Sequence, residues 1–442
     1  QGASSGALTL PDTRDIILNS GKEGTLYVWG GNTYTINGKV TGGGNLRKED
    51  SGVLLLNNTG NDWSGSTKVV LGELRVGAVG ALSPATTVIM GGATLNLNGK
   101  ASSVVGLTGT NNGSVVNGGT TLTVTGSGNY DYAGRVTDTG GATTVRNSGS
   151  GQLTLSGTQD NAGGRAAVDS GTLVLAKSST AGVHAVGSNN TAGLTITGGT
   201  ARLGGTGGDQ IYFDSHVSMS GGTFDLNALN EGFRGLTGGS GTITNDGATA
   251  SLLTIGQSSV AADLYDFGGS IENGSSTIDL VKTGAGTLRL SGASTYSGYT
   301  DVTGGGLIVD GSLGATYLTV FGAATLAGNG SVGDLVEVKT GGGLATTISD
   351  WNGAAGTGFT DLAIATTLTW EGTSHFITVN TSGMVNFSES AKSFPIAIAS
   401  GGISGFNAAD FTVTPVGFTG TGSWSVQATT TTFRPAITAL AA

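Results

Sequence analysis

The chain has 442 residues, with 83 glycines, five prolines, no cysteine and only 11% charged side chains, and a formal net charge of −10. That acidic balance disfavours nucleic acid and anionic membrane surfaces, both of which attract Lys and Arg; the lack of Cys excludes disulfides and thiolate metal sites. Abundant Gly with so little Pro excludes collagen. A hydrophobic content of 37%, set out as short alternating triplets, argues against a disordered linker.

No stretch approaches the roughly 18 apolar residues of a membrane-spanning helix, and sustained helical periodicity is nearly absent. The first residue is Gln1 rather than Met, which reads as a mature N-terminus exposed by signal-peptide cleavage. Residues 1–40 read as an N-terminal strand or cap segment, with apolar positions at Leu8, Leu10, Ile16, Ile17 and Leu18. These five are candidate assembly residues. They form either a first rung or a detached strand that a neighbouring copy accepts, which would give a head-to-tail contact.

From residue 41 to about 345 the same small unit recurs. Leu46–Gly77 places Lys48, then Val53-Leu54-Leu55-Leu56, Trp63-Ser64-Gly65, Val69 and Leu74-Arg75-Val76. Gly151–Leu175 keeps Leu153-Thr154-Leu155, Val168 and Leu173-Val174-Leu175 but lacks the aromatic-Ser-Gly step. The clearest copy is Leu280–Gly311, with Lys282, Gly286, Leu288, Leu290, Tyr296, Gly298, Val302, Leu307 and Val309. Between the copies runs a shorter signal of apolar pairs around Gly-Gly-Thr, as at Leu194–Leu203 and Val217–Leu226. Triplets this brief bury too little surface alone, so periodic copies predict a solenoid in which each strand lies on its equivalents above and below. The expected fold is all-β, a right-handed parallel β-helix over 41–345 with coils of roughly 20–25 residues. After Trp351 the composition shifts. Eight of the thirteen Phe lie there, with longer alternating runs at 362–370, 374–379, 394–399, 411–416 and 423–428. Residues 346–442 therefore read as a C-terminal antiparallel β module for capping or assembly.

The copy at 280–311 strongly resembles the autotransporter-associated β-strand repeat, also called the passenger-associated transport repeat. Lys282, Gly284, Gly286, Leu288, Leu290, Ser291, Gly292, Tyr296, Ser297, Gly298, Thr300, Val302, Leu307 and Val309 carry the resemblance, and Ser294 stands where Asn is usual. It implies a secreted bacterial β-helix at the cell surface, an adhesin or structural protein rather than an enzyme. The leading expectation is a subunit that self-assembles head-to-tail into a filament or sheath; a monomeric adhesin passenger and a polysaccharide-active enzyme are the alternatives. A homopolymer and a glycan or host or biofilm surface are the expected partners, with no nucleic acid and no membrane insertion. A membrane barrel of the autotransporter type would need more than the residues after 345 supply.

Chemical motifs are sparse. His184, His216 and His375 lie in no ligand-spaced pair and read as surface or turn residues. No catalytic residues and no cofactor are expected. Gly204–Tyr212 fits a single calcium-binding nonapeptide, which makes Asp209 a weak Ca²⁺ candidate, although such loops bind only when tandem copies stack. Asp209, Asp214 and Asp225 are the carboxylates that neighbouring coils could bring together. Trp63 and Tyr296 share one slot of the repeat and read as turn covers or, if exposed, sugar-stacking surfaces.

Overall fold

The computed structural model describes residues 7–178, 182–187, 192–256 and 260–438, and it divides into two compact units, Gln1–Glu231 and Gly232–Ala442. Among the described residues there is no α-helix; nearly every strand has three to six residues and pairs in parallel with strands one coil away.

In the first unit the expected columns form. Leu8 pairs with Tyr34, Tyr34 with Leu54, Leu54 with Leu74, Leu74 with Leu95, Leu95 with Val116 and Val116 with Val136. From Leu54 to Val116 these side chains are fully buried, while the alternate positions, such as Leu55 and Arg75, are not. Period-two alternation sends one residue in and the next out, and each fully buried Leu or Val contributes about 1.5–3 kcal/mol relative to exposure. Two further ladders run Leu122, Val145, Ala166, Leu194, Val217 and Leu153, Leu173, Ala201, Phe224.

The corners depend on glycine at one slot in all three copies of the long repeat. Gly72, Gly171 and Gly305 each lie two residues before the third apolar run and each has positive φ, at 72°, 61° and 59°. A Cβ there would approach a backbone carbonyl of the preceding coil to 2.5, 2.2 and 2.1 Å. Both handedness and space therefore demand Gly.

The N-terminal boundary expected at residue 41 is corrected. Leu8–Leu10, Ile16–Leu18 and Glu23–Tyr27 pair in parallel with Thr33–Ile36, Val40–Gly42 and Asn45–Glu49, so coiling already includes the first 40 residues. Ile16–Leu18 lies on its own chain, the first-rung arrangement rather than a detached strand. These coils lack the full repeat motif but keep its spacing of short apolar runs, which is all that stacking needs.

In the second unit one ladder runs Leu253, Leu280, Thr300, Leu318, Val336, Leu368 and Ile403, and another runs Tyr265, Leu288, Leu307, Leu326, Leu344, Ile377 and Val413. The start of the C-terminal module is corrected as well. Leu362–Ile364, Thr367–Trp370, His375–Asn380, Gly402–Ser404 and Phe411–Val416 are parallel rungs, so the β-helix runs on past 345. An antiparallel sheet is present, but it is confined to the end. Thr432–Ile437 pairs antiparallel with Lys392–Ser393 and Ala397–Ala399 on one side and with Trp424–Ala428 on the other. Alternation fixes which face a residue takes, not the direction of the neighbouring strand, so the longer runs misled on direction. The extra aromatics fill wider coils: Trp351 packs on Phe387 and Phe394, and Trp370 on His375, Phe411 and Phe433.

Candidate functional site

The repeat residues Leu288, Leu290, Val302, Leu307 and Val309 face inward and are buried to within 1%. Gly298 is held where a Cβ would lie 2.1 Å from the carbonyl oxygen of Ile278, and Gly65 stands likewise 2.1 Å from that of Gly44. At Gly286 the space is less tight, with the nearest atom, the carbonyl oxygen of Asp263, 3.0 Å away. Tyr296 and Trp63 are fully buried, so neither is a sugar-stacking surface. Trp63 Nε1 donates to Thr67 Oγ1 at 2.9 Å, which lies 2.8 Å from Thr86 Oγ1 on the next coil. Tyr296 Oη lies 2.7 Å from Thr300 Oγ1, which lies 2.8 Å from Thr316 Oγ1.

The repeat lysines are buried too. Lys48 Nζ donates to the carbonyls of Glu49, Asp50 and Leu71, and Lys282 Nζ to those of Thr283, Gly284 and Gly304. Burial pulls each down to about 8. At the same slot of the middle copy Asn147 does this work, with Nδ2 donating to Gly151, Ser170 and Thr172 carbonyls. Each ammonium or amide ties a corner to the next coil. The motif of the long repeat thus builds the core and its corners and leaves chemistry to the outer face.

On that outer face the first unit gathers titratable groups at one corner. His184 is buried, its backbone N–H and Nδ1 lying 2.9 and 3.0 Å from Asp160 Oδ1 and its Nε2 3.5 Å from Asp209 Oδ2. Burial lowers the imidazole's proton affinity, but the two carboxylates outweigh it and hold the group above its ordinary value. Burial raises Asp209, against the pull of His184. Asp160, His184 and Asp209 come from successive coils. A spacing of one coil in sequence is the signal that could have found them.

Several sequence expectations fall here. Asp209 lies 3.5 Å from His184 Nε2, whereas Ca²⁺ takes about six to eight oxygen ligands; among the described residues no group of three His, Asp or Glu is placed to hold a metal. Asp225 pairs with Arg202 at 3.2 Å. His184 is a buried corner residue and His375 a core one: His375 is 1% exposed and packs against Trp370 and Phe411.

The assembly candidates sit at the first rung. Leu18 is buried, Leu10 and Ile16 are half-buried, and Leu8 and Ile17 are 50% and 70% exposed. Tyr27 and Trp29, missed in the sequence, are exposed beside them and line with Leu8, Leu10 and Ile16 a recess of about 720 Å³.

The Adhesin BmaC autotransporter of Brucella suis biovar 1 (strain 1330) is 39% identical over 115 residues, 24% of this chain and 3% of that protein, so the chain matches only a small part of its relative. The Hap adhesin of Haemophilus influenzae aligns at 15% identity over 95% of this chain and 64% of that one, with a TM-score of 0.30. Residues 46–76, 147–175 and 280–309 match the Passenger-associated-transport-repeat family, the middle match beginning at Asn147; the first two matches form parallel rungs within the first unit and the third within the second.

Proposed function

We propose that the chain is a secreted, surface-displayed adhesive protein, a non-enzymatic passenger that presents its outer face and corner loops to a host or biofilm surface. One observation carries this reading: the three matched repeats spend their defining residues on core and corners, which suits a scaffold whose function lies in what it displays. The adhesin name of the relative supports it. Absence of Cys suits export without oxidative folding. The test is attachment. Beads coated with the full chain should bind cultured epithelial cells or a biofilm matrix above beads coated with an unrelated acidic β-solenoid. Equal retention on all of these surfaces would count against adhesion.

A second reading, end-to-end assembly into filaments, is favoured by the first rung. Leu8–Leu10, Ile16–Leu18 and Glu23–Tyr27 each have a strand partner on one side only among the described residues, and Leu8, Ile17, Tyr27 and Trp29 are exposed beside those edges. Unpaired edges with apolar neighbours are templates for pairing. Sedimentation of the purified chain over a concentration series separates the readings, because the adhesive passenger stays monomeric and the filament subunit does not.

A further inference from the structure

The corner that holds His184 opens on a cleft of about 560 Å³ within the first unit. Its wall is built by stacking. Asn161 is buried, accepts from the backbone of Val136 at 2.9 Å on one coil and donates to the carbonyl of Ala185 at 2.8 Å on the next. This registers the segments that carry Asp138, Asp160 and His184. The floor includes Gly163, whose φ of 72° and whose contact with the Asp138 carboxyl, 2.3 Å from a Cβ built there, leave no room for a side chain. Arg165 and the half-buried ring of Tyr212 complete the lining.

Several polar atoms on this lining are unused. Both bonds that Asp160 accepts from His184 go to Oδ1, which leaves Oδ2 without a protein partner among the described residues. The Asp138 carboxylate and the Tyr212 hydroxyl likewise have none there. His184, locked by Asp160 and set edge-on to Tyr212 at 5.2 Å between ring centroids, fixes both in place. The cleft therefore presents two carboxylates beside an aromatic ring, and Arg165, which has protein contacts of its own, is also on its lining. An anion would meet the carboxylates unpaired, and a small cation would meet Arg165 and His184. A ligand that donates and accepts from one ring, and carries an apolar face, suits every wall.

We propose that this cleft binds a neutral saccharide, whose hydroxyl groups donate to Asp138 and Asp160, whose oxygens accept from Arg165, and whose C–H face lies on Tyr212. The site stands apart from the adhesive reading, since a chain that adheres through another surface leaves it unchanged.

Titration calorimetry of the full chain against neutral mono- to tetrasaccharides of glucose, galactose and mannose tests it. At least one sugar should bind, and Asp138→Asn should weaken that sugar by about tenfold to a hundredfold, the effect of losing hydrogen bonds to a charged acceptor. Tyr212→Ala should weaken it about tenfold with an unchanged circular dichroism spectrum. Because Asp138 has no protein partner to lose, its variant decides the matter if Tyr212→Ala fails to fold. No binding by any sugar of the panel, or affinity unchanged in Asp138→Asn, would overturn the proposal.

Discussion

The hydroxyl of Tyr296 lies 2.7 Å from Oγ1 of Thr300, four residues on, and Trp63 meets Thr67 across the same interval in the other unit. In both, the threonine is linked to a threonine of the next coil, Thr316 or Thr86, which donates to the carbonyl of the Gly that follows the aromatic-Ser pair, Gly298 or Gly65. The aromatic of the repeat is thus the anchor of a buried chain of hydrogen bonds between coils. Tyr296→Phe keeps the packing and removes one bond, so it should cost about 1 kcal/mol. Tyr296→Ala leaves a cavity and should cost about 3–5 kcal/mol. Urea denaturation followed by circular dichroism checks both. A negligible loss in the alanine variant would mean that the slot is not core.

The buried lysines make stability depend on pH in an unusual range. Lys48 and Lys282 have proton affinities pulled by burial down to about 8, below the ordinary 10.5 of an unfolded chain. The unfolded state therefore binds these protons more tightly. The cost of holding the charged form in a buried place is absent above the unfolded value and returns as pH falls through the folded one. Resistance to urea should rise from pH 8 towards about 10. Lys282→Asn, following the precedent of Asn147, should keep part of the corner bonding and flatten that rise. An equally steep rise in Lys282→Asn would assign the effect elsewhere.

His184 should act in the opposite sense at lower pH. Its folded proton affinity is held above the ordinary 6.5 by Asp160 and Asp209, despite burial. The stabilisation from the protonated ring is complete below the unfolded value and is lost as pH rises through the folded one. Amide exchange at Ala185 and Val186, both bonded to the carbonyl of Gln210 on the next coil, should be slower at pH 5.5 than the intrinsic pH dependence of exchange accounts for, relative to pH 8. His184→Gln should abolish that difference. Persistence of the difference in the variant would remove the imidazole from the account.

The columns of the β-helix were legible in the sequence because alternation of period two and a coil-length repeat suffice to place Leu54, Leu74 and Leu95 one above another. What was not legible was anything that depends on how long a coil is or which way its strands point. The coils lengthen late in the chain, where Val336 pairs with Leu368 and Leu368 with Ile403, and the longer excursions disguised parallel rungs as an antiparallel module. The roles of Lys282 and Asn147 were hidden for another reason. A charged or amide residue in an alternating pattern reads as outward-facing, and only the unpaired carbonyls of a corner, invisible in sequence, turn it inward. The cleft at His184 joins residues that share no motif and are neighbours only through stacking.

The corner glycines set the strictest condition on that stacking. Gly305 combines a φ of 59° with a Cβ position 2.1 Å from the carbonyl oxygen of Gly286 and 2.7 Å from those of Gly284 and Ala285. The left-handed conformation alone costs an alanine about 1–2 kcal/mol, and the backbone must also withdraw from three carbonyls that are themselves corner atoms of the preceding coil. Gly305→Ala should therefore cost more than the conformational term, about 3 kcal/mol or above. Gly21, also at positive φ but with no atom within 4 Å of a built Cβ, isolates that term, so Gly21→Ala should cost only about 1–2 kcal/mol. Denaturant melts of the two variants measure the difference. Equal losses would show that backbone handedness, not the approach of neighbouring coils, is what reserves the Gly305 corner for glycine.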